Sequence, residues 1–473
     1  MNTKKILQFS IGPIGAAVLG LVTLPIVAWF FSPEDIGRLT MLNVTISFSL
    51  LLFSLGLDQA YVREYHEVED RPALLKAAFV PGFLVLMAVL ITLMFLPWSF
   101  SGLLFGIDST LLTGLLIAAM LMSFCSRFFS LILRMQEKGL AFSMSQLLSK
   151  LLFLFIVVGY VWFGADAIFE KLIMANLLSL LAVFLILAWN TRKDWVPALS
   201  STIDKTRQSL MIRYAIPLIG SGVAFWGLTA MDKVFLRSLS TFEELGIYSI
   251  SVSFAAAALV FQAIFSTVWA PIVYKWAADG VDPRKINNVV DYVTLAVIVI
   301  WSIAGMFSWV VTYILPPEYI QVQYILLATM AYPLLYTLSE ATGVGIGVAR
   351  KTIYSMLAAV VALAINAAGN WLLISSYGAA GAAMASAIAF FVFFTIRTEA
   401  SARLWESFKR VKMYSFILLA LTVVVVVNLV EVTTIWQAGL SLSFLLAGLL
   451  AYKKQVLEII IYMKSKTSKV TAI

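Results

Sequence analysis

One cysteine, Cys125, and one histidine, His66, in 473 residues leave almost no redox or soft-metal chemistry to this chain. A disulfide needs two thiols, and a structural zinc site draws its four ligands largely from these two residue types. Charge is scarce as well: Asp, Glu, Lys and Arg make up 12% of the chain, against roughly a quarter in soluble domains. No Gly-x-x-x-x-Gly-Lys-Ser/Thr loop is present to cradle ATP phosphates, and Gly343-Val344-Gly345-Ile346-Gly347 lacks the strand and spacing of a dinucleotide fold. The chain therefore carries no signature of primary ATP-driven pumping.

What fills the sequence instead is apolar: 62% of the residues are hydrophobic. Runs of about 20 such residues match the roughly 30 Å hydrocarbon core of a bilayer. Fourteen can be placed, near 9–31, 38–57, 79–97, 111–131, 144–164, 171–190, 214–237, 247–271, 289–311, 322–345, 353–375, 380–402, 414–430 and 437–451. A spanning backbone must satisfy its own polar groups, and continuous apolar runs do so as helices. The fold class expected is an all-α polytopic membrane protein of about 14 transmembrane helices. The first run, behind Lys4 and Lys5, lacks a small-x-small cleavage site before Ser32-Pro33-Glu34 and reads as a retained helix.

Lys and Arg orient the chain. Of the 33, seven fall inside the spans and the other 26 lie on the segments that share a side with the N-terminus; the opposite loops carry none. By the positive-inside rule both termini are expected on the cytoplasmic side of the membrane. The net charge of +8 is then mostly topological, and nucleic acid is not needed as a partner. The C-terminal Lys453, Lys454, Lys464, Lys466 and Lys469 are placed to touch anionic lipid headgroups.

The sequence also repeats itself. Ser32-Pro33-Glu34-Asp35-Ile36-Gly37 parallels Thr241-Phe242-Glu243-Glu244-Leu245-Gly246, Ala141-Phe142-Ser143 parallels Ile353-Tyr354-Ser355, and Phe163-Gly164-Ala165 parallels Tyr377-Gly378-Ala379, at offsets of 209, 212 and 214. Six spans separate equivalents, so the repeats are parallel, with a substrate site expected between them. The layout expected is an N-lobe (1–190), a cytoplasmic linker (191–213) rich in polar residues, a C-lobe (214–402), and two extra helices with a basic tail (403–473), the two six-helix lobes forming a V-shaped central cavity.

These residues, with Met231-Asp232-Lys233, Ile247-Tyr248, Asn366-Ala367-Ala368-Gly369-Asn370 and Tyr377-Gly378-Ala379-Ala380-Gly381-Ala382-Ala383, resemble over essentially the whole chain the Wzx-type oligosaccharide flippase family of the multidrug/oligosaccharidyl-lipid/polysaccharide exporter superfamily. The resemblance implies no enzyme but a flippase, moving an undecaprenyl-diphosphate-linked oligosaccharide between leaflets by alternating access. Its partners would be that lipid-linked substrate, membrane lipids, and the glycan polymerase and chain-length machinery.

Charge inside hydrocarbon is costly, so intramembrane ionisable residues point by default into a bundle interior or watery cavity. The basic set is Arg38, Arg127, Lys150, Lys171, Lys233, Arg237 and Arg397; the acidic set is Asp232, Asp291, Glu340 and Glu399. This cationic balance points to an anionic cargo. Depth selects Arg127 and Lys150 as inner-leaflet contacts for a pyrophosphate, with snorkelling or a structural ion pair as the alternative. Lys233 and Arg237 are the expected outer contacts, and Asp232 and Glu340 the candidate carriers of a coupling proton or sodium ion, the only cofactor expected. Asn366 and Asn370 share a helix face and line a sugar path or bond to neighbouring helices. Arg38, Lys171 and Arg397 sit at span ends as anchors, and Trp98, Trp162, Trp195, Trp309, Trp371, Trp405 and Trp436 read as interfacial belts. Two other functions are weighed: a multidrug or cation antiporter, which the basic excess disfavours, and a membrane-embedded glycan polymerase or acyltransferase, for which the outer loops are short and lack His, Lys and Arg.

Overall fold

The computed structural model describes residues 3–95, 99–164, 168–279, 284–406, 408–430 and 433–470, with side chains from 11 to 463 apart from those of 13, 267, 278 and 284 within these ranges. Trp98, Ala165 and the side chains of Lys4, Lys5, Lys464, Lys466 and Lys469 lie outside the described residues. The described chain is helical throughout, with no strand among its described residues. Twelve helical segments are long and apolar enough to cross a membrane, and a further apolar stretch covers Ile14–Ala28.

Contacts divide the chain into two compact units, Met1–Ser253 and Phe254–Ile473. The first holds α1 (Thr3–Ala28), α2 (Pro33–Phe53), α3 (Leu57–Glu64), α4 (Arg71–Met94), α5 (Phe100–Phe105), α6 (Thr110–Met135), α7 (Gly139–Trp162), α8 (Phe169–Asn190), α9 (Arg192–Ser200), α10 (Lys205–Leu239) and the beginning of α11 (Phe242–Ala278). The second holds the rest of α11, then α12 (Arg284–Met306), α13 (Val311–Ile314), α14 (Val322–Thr329), α15 (Ala331–Val348), α16 (Ile353–Leu404), α17 (Val411–Val430), α18 (Thr434–Ala451) and α19 (Lys453–Val470).

Helix starts follow cap chemistry. Ser32 accepts from the Asp35 amide with Pro33 at the first helical position and two acids in the first turn, so Ser-Pro-Glu-Asp opens α2 rather than standing as a free loop. Asp70 caps α4 through Ala73, Ser109 caps α6 through Leu112, and Asp204 caps α10 through Thr206 and Arg207.

Inside the first unit α1 runs parallel to α7. Gly12 faces Ser143, Gly15 faces Leu147 and Gly20 faces Lys150, and a Cβ on Gly12 or Gly15 would lie 2.9 or 2.6 Å from its neighbour. Small residues let these backbones approach as membrane helices require. The 191–213 segment is mostly helix. Its α9 docks on α4, where Lys76 Nζ donates to the carbonyls of Leu199 and Ser201, each at 2.8 Å. The boundary between units falls at 253/254 because α10 packs on α2 and α3.

In the second unit the 52 residues of α16 contain both runs 353–375 and 380–402. Gly378, at φ 49° and ψ −127°, turns the chain back. A Cβ on Gly369 would lie 2.9 Å from Ala385 Cβ and one on Gly381 2.4 Å from the Leu373 carbonyl oxygen, so the two halves lie side by side as a hairpin. Backbone at positive φ of this kind favours glycine.

Candidate functional site

The interior polar groups of the first unit begin where α2 breaks. Gly56, at φ 65°, ends the helix and starts α3, which places Asp58 in the core at 6% exposure. Arg127 on α6 donates to Asp58 Oδ2 from Nε at 3.2 Å and from Nη2 at 2.6 Å, and Gln59 Nε2 adds a third bond at 3.0 Å. Arg127 therefore stands in an ion pair. Lys150, on α7, donates instead to the Ala16 carbonyl of α1 at 2.6 Å. The two residues expected to act on one phosphate engage different elements.

Between α3 and α10 lies a cavity of about 440 Å³ lined by Gln59, Val62, Arg63, Tyr214, Ser221 and neighbouring apolar groups. The Arg63 guanidinium sits over the Tyr214 ring, 4.4 Å from its centroid. Sequence reading assigns Arg63 to a basic inner loop and passes over it. The available signal is local: on α3, Gln59 and Arg63 stand four residues apart and share a helix face.

At the other end of α10, Asp232 is 1% exposed and accepts from the Tyr248 hydroxyl at 2.6 Å. Lys233, half-buried, makes no ion pair or direct hydrogen bond among the described residues. Arg237 is committed: it donates to the carbonyls of Leu103 and Leu104, both at 3.3 Å, while Arg38 donates to that of Phe105 at 3.1 Å. These are the terminal carbonyls of α5, which have no partner inside so short a helix. Both guanidiniums also lie over the Phe242 ring, at 4.4 and 5.2 Å, and Arg38 pairs with Glu34 and Asp35. Arg38, expected as a simple anchor, thus ties α2 to α5.

Around the same place the repeat becomes a physical contact. A Cβ on Gly37 would lie 2.0 Å from the Phe242 carbonyl oxygen, and one on Gly246 would lie 1.9 Å from that of Pro33. Pro33 and Phe242 are related by the same offset of 209 as Gly37 and Gly246, so the first turns of α2 and α11 meet reciprocally, glycine to carbonyl on both sides.

In the second unit Glu340 is paired with Arg397 at 3.0 Å, and the same Nη1 donates to Ser339 Oγ at 2.7 Å. The Thr342 and Thr398 hydroxyls are 2.6 Å apart, and the Gly345 amide donates to Ser401 Oγ at 3.0 Å, which continues a polar seam between α15 and α16. Arg397 is consequently an interior pairing residue and not an anchor free at a span end. Asn366 and Asn370 are both fully buried, Asn370 Nδ2 donating to Asn366 Oδ1 at 3.0 Å, so this pair packs inside the unit instead of lining accessible space. Glu399 takes Arg410 and Tyr414, and Asp291 takes Gln455. Arg410 and the Tyr414 hydroxyl hold the two oxygens of one carboxylate.

No curated protein matches this sequence. Among solved structures the fold is similar to the lipid II flippase MurJ in an inward closed conformation, at TM-score 0.67 and 15% identity, covering 95% of this chain and 100% of that one. It is similar also to a multidrug resistance MATE family transporter of the MOP superfamily in inward-facing form, at TM-score 0.55 and 13% identity over 85% and 98% of the two chains. The outward-facing form gives TM-score 0.55 and 13% identity over 87% and 96%. These neighbours are a flippase and transporters rather than catalytic enzymes, and at such identities they establish the fold. The family of polysaccharide biosynthesis proteins matches residues 3–276, more than half of the chain, and the chain belongs to that family.

Proposed function

We propose that this protein is a flippase that moves a polyprenyl-diphosphate-linked oligosaccharide, an O-antigen or related repeat unit, from the cytoplasmic to the outer leaflet of a bacterial inner membrane. The observation that carries this reading is how interior charge is committed. Asp58, Glu340 and Glu399 each face an arginine and Asp232 a tyrosine hydroxyl, whereas Lys150 and Lys233 meet no carboxylate within ion-pair distance among the described residues. Lys233 feels the charge of the adjacent Asp232 without forming an ion pair with it, and Lys150 meets only a backbone carbonyl among the described residues; two interior ammonium groups outside ion pairs suit an anionic cargo. An organic cation, the substrate of an antiporter, would want the reverse.

Alternating access of the two repeats is the proposed mechanism, with Asp232 as carrier of a coupling proton or sodium ion and Lys233 as an outer contact for the diphosphate. Both termini are placed in the cytoplasm, and the glycan polymerase and chain-length machinery receive the product. Deleting the gene tests the reading. A lipid-linked repeat unit should accumulate and surface polysaccharide should fall, with both reversed by the cloned gene. Unchanged lipid-linked pools and surface polysaccharide in the deletion strain would overturn it.

A further inference from the structure

The α3–α10 cavity has a chemistry of its own. It collects one guanidinium, one phenol ring, one side-chain amide and one hydroxyl, from Arg63, Tyr214, Gln59 and Ser221. Two carboxylates close in sequence to Arg63 are taken, Asp58 by Arg127 at 2.6 Å and Glu64 by Arg207 at 3.8 Å, and Glu67 forms no ion pair with Arg63 among the described residues. Arg63 itself forms no ion pair among the described residues, and its one defined contact is the face of Tyr214. Stacking on a ring fixes the plane of a guanidinium while leaving its edge donors unused, the arrangement that suits bidentate recognition of a phosphate. Leu218, Val62 and Gly222 complete an apolar wall beside these groups.

One polar group of the lining is oriented by its own contacts. Gln59, which lines the cavity, is bound to Asp58, and Asp58 is bound to Arg127, so the amide is oriented from below by an ion pair that reaches α6. Arg127 in this arrangement positions the wall and leaves the direct contact to Arg63.

We infer that this cavity is a binding site for a sugar-bearing phosphate ester: Arg63 takes the phosphate oxygens, Gln59 donates its remaining amide hydrogen to phosphate or sugar oxygen, and Ser221 Oγ, whose hydrogen goes to the Leu218 carbonyl, accepts from a sugar hydroxyl. The inference rests on the flippase reading for its most natural source, the headgroup of a polyprenyl diphosphate. A water-soluble phosphate would present the same oxygens.

The test uses the full-length protein in lipid nanodiscs with two probes, undecaprenyl diphosphate and inorganic pyrophosphate, each titrated against wild type, Arg63→Ala, Arg63→Lys and Tyr214→Leu. Charge-assisted hydrogen bonds of about 1.5–3 kcal/mol correspond to a loss of about ten- to 150-fold in affinity for Arg63→Ala. Arg63→Lys should recover part of that loss, and Tyr214→Leu should weaken binding less than Arg63→Ala because it frees the guanidinium without removing it. Arg213→Ala, one residue from Tyr214 and outside the cavity lining, is the control and should bind like wild type.

Lipid-probe binding that depends on Arg63 supports the site with a lipid source. Pyrophosphate binding that depends on Arg63, with no lipid-probe binding, supports the site but sinks the flippase reading. Binding by wild type that Arg63→Ala leaves unchanged, in protein that remains monodisperse, overturns the site and leaves the flippase reading standing. Failure of wild type to bind either probe overturns both.

Discussion

Replacing Gly246 by alanine places a methyl group 1.9 Å from the Pro33 carbonyl oxygen. An ordinary carbon–oxygen contact is about 3.3 Å or more, so the first turns of α11 and α2 must separate by about 1.4 Å for the side chain to fit. Neither side can yield by rotating a side chain, because the obstacle is backbone inside two capped helix starts. Overpacking of this kind costs about 1–3 kcal/mol, a shift of about five- to 150-fold in favour of any state in which the crossing is open. Gly37→Ala should act in the same direction against Phe242, and the double variant should fall short of the sum, since one separation relieves both clashes. The reporter is a cysteine at Ile36, which is fully buried beside Gly37, read by maleimide mass labelling together with the native Cys125. Labelling at position 36 should rise in Gly246→Ala while labelling at Cys125 stays level; a rise at both sites would mean general unfolding. Unaltered labelling at 36 together with unaltered lipid-linked intermediate levels would refute the idea that a β-carbon at this crossing forces the two helix starts apart.

Three further outcomes follow from the same geometry. Asp58→Asn removes the charge partner of Arg127 and should lower thermal stability by about 1–3 kcal/mol, less than a fully buried pair because the Arg127 side chain is 36% exposed; Asp58→Asn combined with Arg127→Gln should recover part of it by thermal melt. Gly378→Ala forces a β-carbon into backbone at positive φ at the α16 turn and should cost about 1–3 kcal/mol, read as a lower melting temperature, with Gly164→Ala as the comparison at the equivalent turn of the first repeat, where φ is 66° and the same direction is expected. Asp232→Asn keeps an acceptor for Tyr248 but cannot bind a proton, so substrate-driven proton release from reconstituted vesicles should vanish while the protein stays folded; release equal to wild type would exclude Asp232 as the carrier.

The apolar runs were legible because length and hydropathy alone decide whether a segment suits a bilayer: α6, α8, α10, α11, α17 and α18 cover the runs expected for them, while α2 stops at Phe53 and α12 at Met306, short of the expected 57 and 311. The Gly378 turn was legible too, through the repeat that pairs it with Gly164. Partners were not. Arg127, Lys150, Glu340 and Arg397 all stood out as intramembrane charge, yet nothing in their spacing told that Arg127 meets Asp58, 69 residues earlier, or that Arg397 meets Glu340, 57 residues earlier. Arg63 was hidden by the opposite fault: near a span end it is statistically an inside-positive loop residue, and only the fold of α3 against α10 brings it over Tyr214.

By itself the sequence determined that this is a helical membrane protein, with two similar halves and more interior cations than anions, because hydrophobic length, internal period and charge count are one-dimensional properties. Tertiary structure decided which of those charges is spent on the protein's own backbone and carboxylates and which stands outside such pairs among the described residues. That decision depends on approaches of about three to four ångströms between helices far apart in the chain, and the glycines at 37 and 246 mark where such an approach admits no side chain at all.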